Sequence, residues 1–303
     1  MSPVIRLIAL LGVFAISFTA VLVRLADVSP LTTGFFRALY ALPILGAMWL
    51  FTRRTDARPR VDRRLGFAAG LLLAIDLWLF HAAIAAIGAG LGTLLANIQV
   101  VFVALAAWAV HDERPSTTAF VAIPFVFTGV ALLSGLGRGD TYGSDPVAGV
   151  IIGAVSGIAY AAFILTFRAA NRAQSSAIGT LLDATAGTAV GTAFAGLVTG
   201  TIDFTVVWPA HGWLLILAVA AQVFGWLMIG FALPRLPALT TSVLIMVQPV
   251  GALIWGNLIF AERLSALQGA GVALVLTGIT AINVWGSVRS KTAAFDSLVK
   301  PVT

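Results

Sequence analysis

The chain has no cysteine in its 303 residues, which excludes disulfides and thiolate metal sites. Charge is scarce as well: Asp, Glu, Lys and Arg make up 10% of the residues, where a soluble domain carries about 25%. So few charges cannot build a water-facing surface over this length, so lipid must solvate the chain. Histidine occurs three times, at 81, 111 and 211, with no HExxH spacing. That argues against metal-dependent chemistry and against a lipid-modifying enzyme inside the membrane, so no cofactor is expected. The net charge of +6 does not mark a nucleic-acid surface, because the charges cluster between apolar runs. No A-x-A-like cleavage site follows the first run, which reads as a retained helix rather than a signal peptide.

What is abundant is apolar: 60% of the residues are hydrophobic and the mean hydropathy is +1.02. A span needs roughly 20 apolar residues. Ten such runs predict an all-α polytopic membrane protein: 4–23, 31–51, 65–86, 91–110, 117–136, 146–167, 177–198, 213–233, 238–259 and 266–285. GAGLG at 88–92 and LPRLP at 233–237 are the tightest expected turns, and Ser265-Ala-Leu-Gln268 is a capping box for the last helix. Lys and Arg set the orientation. With the N-terminus inside, 14 of them fall in inside segments and three (Arg24, Arg138 and Arg263) outside, with Arg37 within a span. Both termini are therefore expected in the cytoplasm, in the inner (plasma) membrane if the source is a bacterium.

The segment 246–265, MVQPVGALIWGNLIFAERLS, repeats an outline written 149 residues earlier, NIQVVFVALAAWAVHDERPS at 97–116. Without a gap the two match at Gln99/Gln248, Val101/Val250, Glu113/Glu262, Arg114/Arg263 and Ser116/Ser265, and Gly129/Gly278 keep the same offset. The repeat unit is five helices, an odd number, so the second copy enters the membrane the other way up. The expected units are 1–140 and 141–288, with a cytoplasmic tail at 289–303. Inverted repeats are a device of secondary transporters.

Ten helices in two halves, each with a Glu-Arg-x-Ser exit from its fourth helix, resemble the drug/metabolite transporter superfamily. Within it the chain resembles the EamA-type permeases through Pro249, Glu262-Arg263, Gln268, Gly271 and Gly278, and through the arginine-bearing GFFRALYALPIL with Arg37. The resemblance covers roughly 1–285. The first half departs from the pattern, with Val100 in place of the proline and Ala119 and Ala122 in place of Gln and Gly. As a whole the sequence is similar to the YddG-type exporters of aromatic and other amino acids. The resemblance implies an exporter of small metabolites, amino acids included, that works by alternating access. Sugar-phosphate, nucleotide-sugar or drug export within the same superfamily is the alternative. The expected partners are a small-molecule substrate and the lipid bilayer.

Ionisable residues inside a span disfavour insertion by about 3 kcal/mol each, so they face a cavity or a partner. Arg37 lies in the second span, Asp76 and His81 in the third, and Asp183 near the inner end of the seventh. Arg37 is read as a carboxylate-binding or gating cation, with snorkelling to the headgroups as the competing account. Gln99 and Gln248 fall midway along their helices, where an amide must find partners. Either they line one central cavity or they bond helix to helix. Trp78, Trp226 and Trp255 are mid-span, where an indole N–H seeks a partner. Tyr40 follows Arg37 by three residues, Tyr160 follows Ser156 by four, and Gln222 precedes Trp226 by four. The expected substrate-binding set is Arg37, Tyr40, Trp78, His81, Gln99, Tyr160, Trp226, Gln248 and Trp255, with core packing the alternative for each aromatic. Asp183 and Asn97 are assigned to structure.

Overall fold

The structure, a computed structural model, describes residues 3–111, 117–134, 142–171, 176–232, 244 and 247–299. Among these every regular element is helical. The first half holds α1 (Pro3–Ser17), α2 (Thr19–Ala26), α3 (Pro30–Thr52), α4 (Arg60–Ala96), α5 (Gln99–His111) and α6 (Thr117–Leu133). The second holds α7 (Pro146–Ala170), α8 (Ala177–Thr199), α9 (Ala210–Leu217), a π-helical segment Ala218–Gly225, α10 (Trp226–Ala232), α11 (Val247–Phe260) and α12 (Ala266–Val299). Among the described residues six stretches are long and apolar enough to cross a bilayer, and three shorter apolar helices, Phe120–Leu133, Val247–Phe260 and Ala266–Ile282, accompany them.

Local chemistry explains where the elements break. α1 and α2 meet at Ser17, whose Oγ donates to Phe14 O at 2.7 Å; such a local bond competes with the helix ladder. GAGLG is not a loop. α4 runs through it with one non-helical residue, Gly88, at φ 87° and ψ 171°, a conformation that glycine alone adopts without strain. The third and fourth expected spans are thus joined by a one-residue joint. The capping box at Ser265 forms as expected: Gln268 N donates to Ser265 Oγ (3.3 Å) and Ser265 N donates to Gln268 Oε1 (3.2 Å). α12 continues to Val299, past the expected end at 285 and through most of the expected tail. The LPRLP turn and the Glu113-Arg114 exit lie outside the described residues.

Small residues set the helix spacing, as they do where lipid supplies no hydrophobic drive to pack. A Cβ at Gly70 would fall 1.9 Å from Ala184 O, and one at Gly187 2.1 Å from Phe67 O, so α4 and α8 touch backbone to backbone. α6 and α12 meet in a reciprocal way. A Cβ at Gly129 would lie 2.8 Å from Gly271 O, and one at Gly278 3.3 Å from Ala122 O. Because 129 pairs with 278 and 122 with 271 under the 149-residue offset, each contact is the image of the other. A twofold relation between related units produces this pattern.

The loops after α3 and α8 repeat the theme. After α3 the chain turns through Arg53–Thr55, and Arg58 docks on the start of α8, pairing with Asp56 and Asp183 at 2.8 Å each. Hydrogen bonds from Arg58, and from Trp49 Nε1 at 2.7 Å, hold the Asp56 carboxyl well below the usual carboxylate range, at about 2. After α8 the chain docks on the start of α3: Ser29 Oγ donates to Thr201 O at 2.6 Å, and Asp203 N donates to Thr32 Oγ1 at 2.9 Å. Asp183 therefore has the structural role expected of it.

Candidate functional site

Polar groups inside the bundle gather around Arg37. This α3 residue is 4% exposed. Its Nε donates to Gln222 Oε1 at 2.9 Å, and Gln222 Nε2 donates in turn to Thr185 Oγ1 of α8 at 3.1 Å. Gln222 sits within the π-helical segment. Such widened turns are frequent at functional sites. Asp76 of α4 is 5% exposed and accepts a 2.6 Å bond from Ser156 Oγ of α7. Arg37, Asp76 and Tyr160 of α7 lie within electrostatic reach of one another. They nonetheless form no ion pair: among the described residues the pairs are Arg24–Glu262, Arg58–Asp56 and Arg58–Asp183. Rings close one side. Tyr160 stacks on Phe163 (5.8 Å between centroids, 13° between planes), and Trp226 meets Phe163 edge-on at 5.4 Å. Elements from both halves thus converge on one buried cluster with a cation, an acid, an amide and an aromatic wall.

Of the residues expected at a site, Arg37, Tyr160 and Trp226 meet here. Apart from His81, the others are placed elsewhere. His81 is buried in α4 with Nδ1 3.2 Å from Pro30 O, and its Nε2 has no partner among the described residues. It is within electrostatic reach of Arg37. Tyr40 turns to the start of α9, its hydroxyl 2.6 Å from His211 Nδ1, while His211 Nε2 lies 3.1 Å from Thr205 O. Trp255 donates from Nε1 to Ser17 Oγ at 3.1 Å and stacks on Phe18 at 4.7 Å, tying α11 to the break between α1 and α2. Gln99 begins α5 with its Oε1 sealed and unpartnered among the described residues, and Gln248 is half-buried near the start of α11. Trp78 is 39% exposed and continues the exposed stripe of Phe67, Leu71 and Ile75. At about 100° per residue it lies roughly 200° around α4 from Asp76, away from the cluster.

Asp76, Ser156 and Gln222 are visible in the sequence as polar interruptions of apolar runs, but their partners are not. Thr185 gives no signal, being one of several threonines in α8. Gln222 and Trp226 share a face at α-helical spacing, but the π turn between them changes that register, so spacing alone does not give the bond to Arg37.

A second polar cluster lies where the two halves meet at the Gly88 joint. Glu262, which follows α11, is 4% exposed. Its carboxylate accepts from Ala89 N (2.7 Å) and Gly90 N (3.1 Å), the first free N–H groups beyond the break in α4, and pairs with Arg24. Arg24 also lies over the Phe260 ring at 4.1 Å. The Glu-Arg-x-Ser exit therefore caps a helix, but one in the opposite half of the chain. Negative charge at a helix N-terminus is favourable through the helix dipole. Nearby, Gln268 Nε2 donates to Tyr142 O (2.9 Å) and Leu133 O (3.3 Å), tying the linker between halves to α12.

A crystal structure described only as that of a protein superposes with a TM-score of 0.61 over 95% of this chain and 99% of its own, at 16% identity. Such a likeness speaks for the fold alone. No curated protein matches the chain. The EamA-like transporter family matches twice, over residues 4–135 and 147–284. One family profile thus fits in turn the two halves that pack through reciprocal small-residue contacts. The chain belongs to the EamA-like transporter family, a group of membrane transporters in the drug/metabolite superfamily.

Proposed function

We propose that this transporter exports small metabolites, chiefly amino acids and aromatic ones among them, by alternating access between two inverted five-helix repeats. In this reading ten segments cross the inner membrane, with both termini cytoplasmic. The units are 1–140 and 141–288, and the last segment leaves the bilayer before the tail at 289–303. The observation that carries the substrate reading is Arg37, a guanidinium inside the bundle held at Nε by Gln222 alone among the described residues. A charge inside the bilayer disfavours the folded protein unless something uses it. Its planar fork suits a carboxylate, and the Tyr160, Phe163 and Trp226 rings beside it suit an aromatic side chain. Tyr40, Gln99, Gln248, Trp255 and His81 then belong to the surrounding walls rather than to first contact, while Trp78 stays on the exposed face of α4.

Sugar-phosphate or nucleotide-sugar exchange within the superfamily is disfavoured, because a phosphate asks for several cations and Arg37 stands alone in the interior of the expected spans, Arg6 lying at the end of its run. Uptake of radiolabelled amino acids into proteoliposomes tests the reading. Saturable uptake of phenylalanine and its neighbours is expected, and no uptake of any amino acid would remove the substrate assignment. Counterflow that ignores an imposed pH gradient would identify a simple facilitator.

A further inference from the structure

Two oppositely charged residues are buried within electrostatic reach of each other and do not pair. If Arg37 and Asp76 served stability alone, closing the ion pair would be the favourable arrangement, since an unpaired buried charge is strongly destabilising. Instead a neutral residue holds each one aside, Gln222 at Arg37 Nε and Ser156 at Asp76 Oδ1. That leaves Arg37 Nη1 and Nη2 and Asp76 Oδ2 without a hydrogen bond among the described residues. The sealed, partnerless side-chain atoms among the described residues are Thr19 Oγ1, His81 Nε2, Gln99 Oε1 and Asn171 Oδ1, and these three are not among them. A donor fork and an acceptor oxygen are thus both unsatisfied, on opposite charges, with rings beside them. The group that completes this arrangement carries a carboxylate and an ammonium on one small frame.

We infer that Asp76, positioned by Ser156, binds the ammonium group of the substrate while Arg37 takes the carboxylate, so that the site selects zwitterions by pairing both charges at once. The inference rests on the amino-acid reading above and adds the second half of the recognition. It also accounts for the burial of an acid with a serine rather than a cation as its partner. An N–H from an ammonium to a carboxylate is a charge-assisted bond, stronger than a neutral one.

Three probes that share one ring separate the contributions: L-phenylalanine, phenethylamine without the carboxylate, and 3-phenylpropanoate without the ammonium. In proteoliposomes the wild type should take up phenylalanine and be inhibited far less by either truncated probe. Asp76→Asn should weaken phenylalanine uptake about tenfold or more. The same variant should leave inhibition by 3-phenylpropanoate within about threefold, because Arg37 is intact. Arg37→Gln should lose both. Asp76→Glu, which keeps the charge, should recover part of the uptake, and unchanged thermal unfolding of the variants in detergent would establish that they fold. Phenylalanine uptake by Asp76→Asn at the wild-type rate would overturn the inference, as would equal loss of phenylalanine and 3-phenylpropanoate. A wild type that carries no amino acid would overturn the substrate reading itself, a distinct result.

Discussion

Arg37 and Gln222 are 185 positions apart in sequence and 2.9 Å apart in space, and the transport reading depends on that contact. Arg37→Ala should reduce amino-acid uptake by roughly tenfold to a hundredfold, the loss of a charged hydrogen bond. Arg37→Lys should recover little, because an ammonium cannot hold Gln222 and a carboxylate as a fork does; initial rates in proteoliposomes measure both. The arginine was legible in the sequence as the one cation in the interior of a span. Its partner was not, because the π segment shifts the residues around Gln222 off the α-helical register used to group them. Trp78 lies away from that cluster for a different reason. The four-four-three spacing of Phe67, Leu71, Ile75 and Trp78 marks an exposed face, and that periodicity outweighs the wish of an indole N–H for a partner. At the other buried arginine, Asp56 titrates at about 2 in the folded protein, below the usual carboxylate value of about 3.9. A depressed carboxyl stabilises the fold above its unfolded pKa, and that contribution is lost as pH falls through its folded one. Docking of the 53–60 loop should therefore weaken between about pH 4 and pH 2, with Asp56→Asn removing that part of the acid dependence in thermal unfolding scans.

Helix ends and breaks carry the second layer of the design. The sequence showed GAGLG as a turn and Glu262 as a helix-end residue, and both readings were half of one device. A single left-handed glycine replaces a loop, and the glutamate caps the helix that restarts beyond it. Which helix a carboxylate caps is a tertiary fact, so local pattern could place the residue but not its target. Gly88→Ala meets two obstacles at once. A φ of 87° with ψ of 171° disfavours any L residue by about 1–3 kcal/mol, and the new Cβ would lie 2.6 Å from Glu262 Oε1. A fall in thermal stability in detergent is expected, larger than for alanine at Gly46, where a Cβ meets nothing within 4 Å. Glu262→Gln keeps the shape but loses the charge facing Arg24 and two N–H groups, a loss of about 1–3 kcal/mol read by the same measurement.

Across the whole molecule, the absence of cysteine has a practical side: pairs can be introduced directly into the natural chain. Ser17 and Gly251 join the first half to the second, and a Cβ at Gly251 would lie 3.0 Å from Ser17 Cβ, so a small adjustment brings Ser17→Cys and Gly251→Cys to disulfide distance. Oxidation should halt transport and reductant restore it; uptake indifferent to oxidation would show that this contact stays closed throughout the cycle. The two-repeat plan was legible because a 149-residue offset preserves residues wherever they lie along the chain. The meeting of α6 with α12 gives that plan a mechanical meaning. A contact that maps onto itself when the halves exchange roles has the same form in both conformers, whereas contacts without an image must break in one and form in the other. In the proposed cycle the glycine seam of Gly129, Gly271 and Gly278 would be the fixed point of the exchange, a stator against which the remaining helices swing.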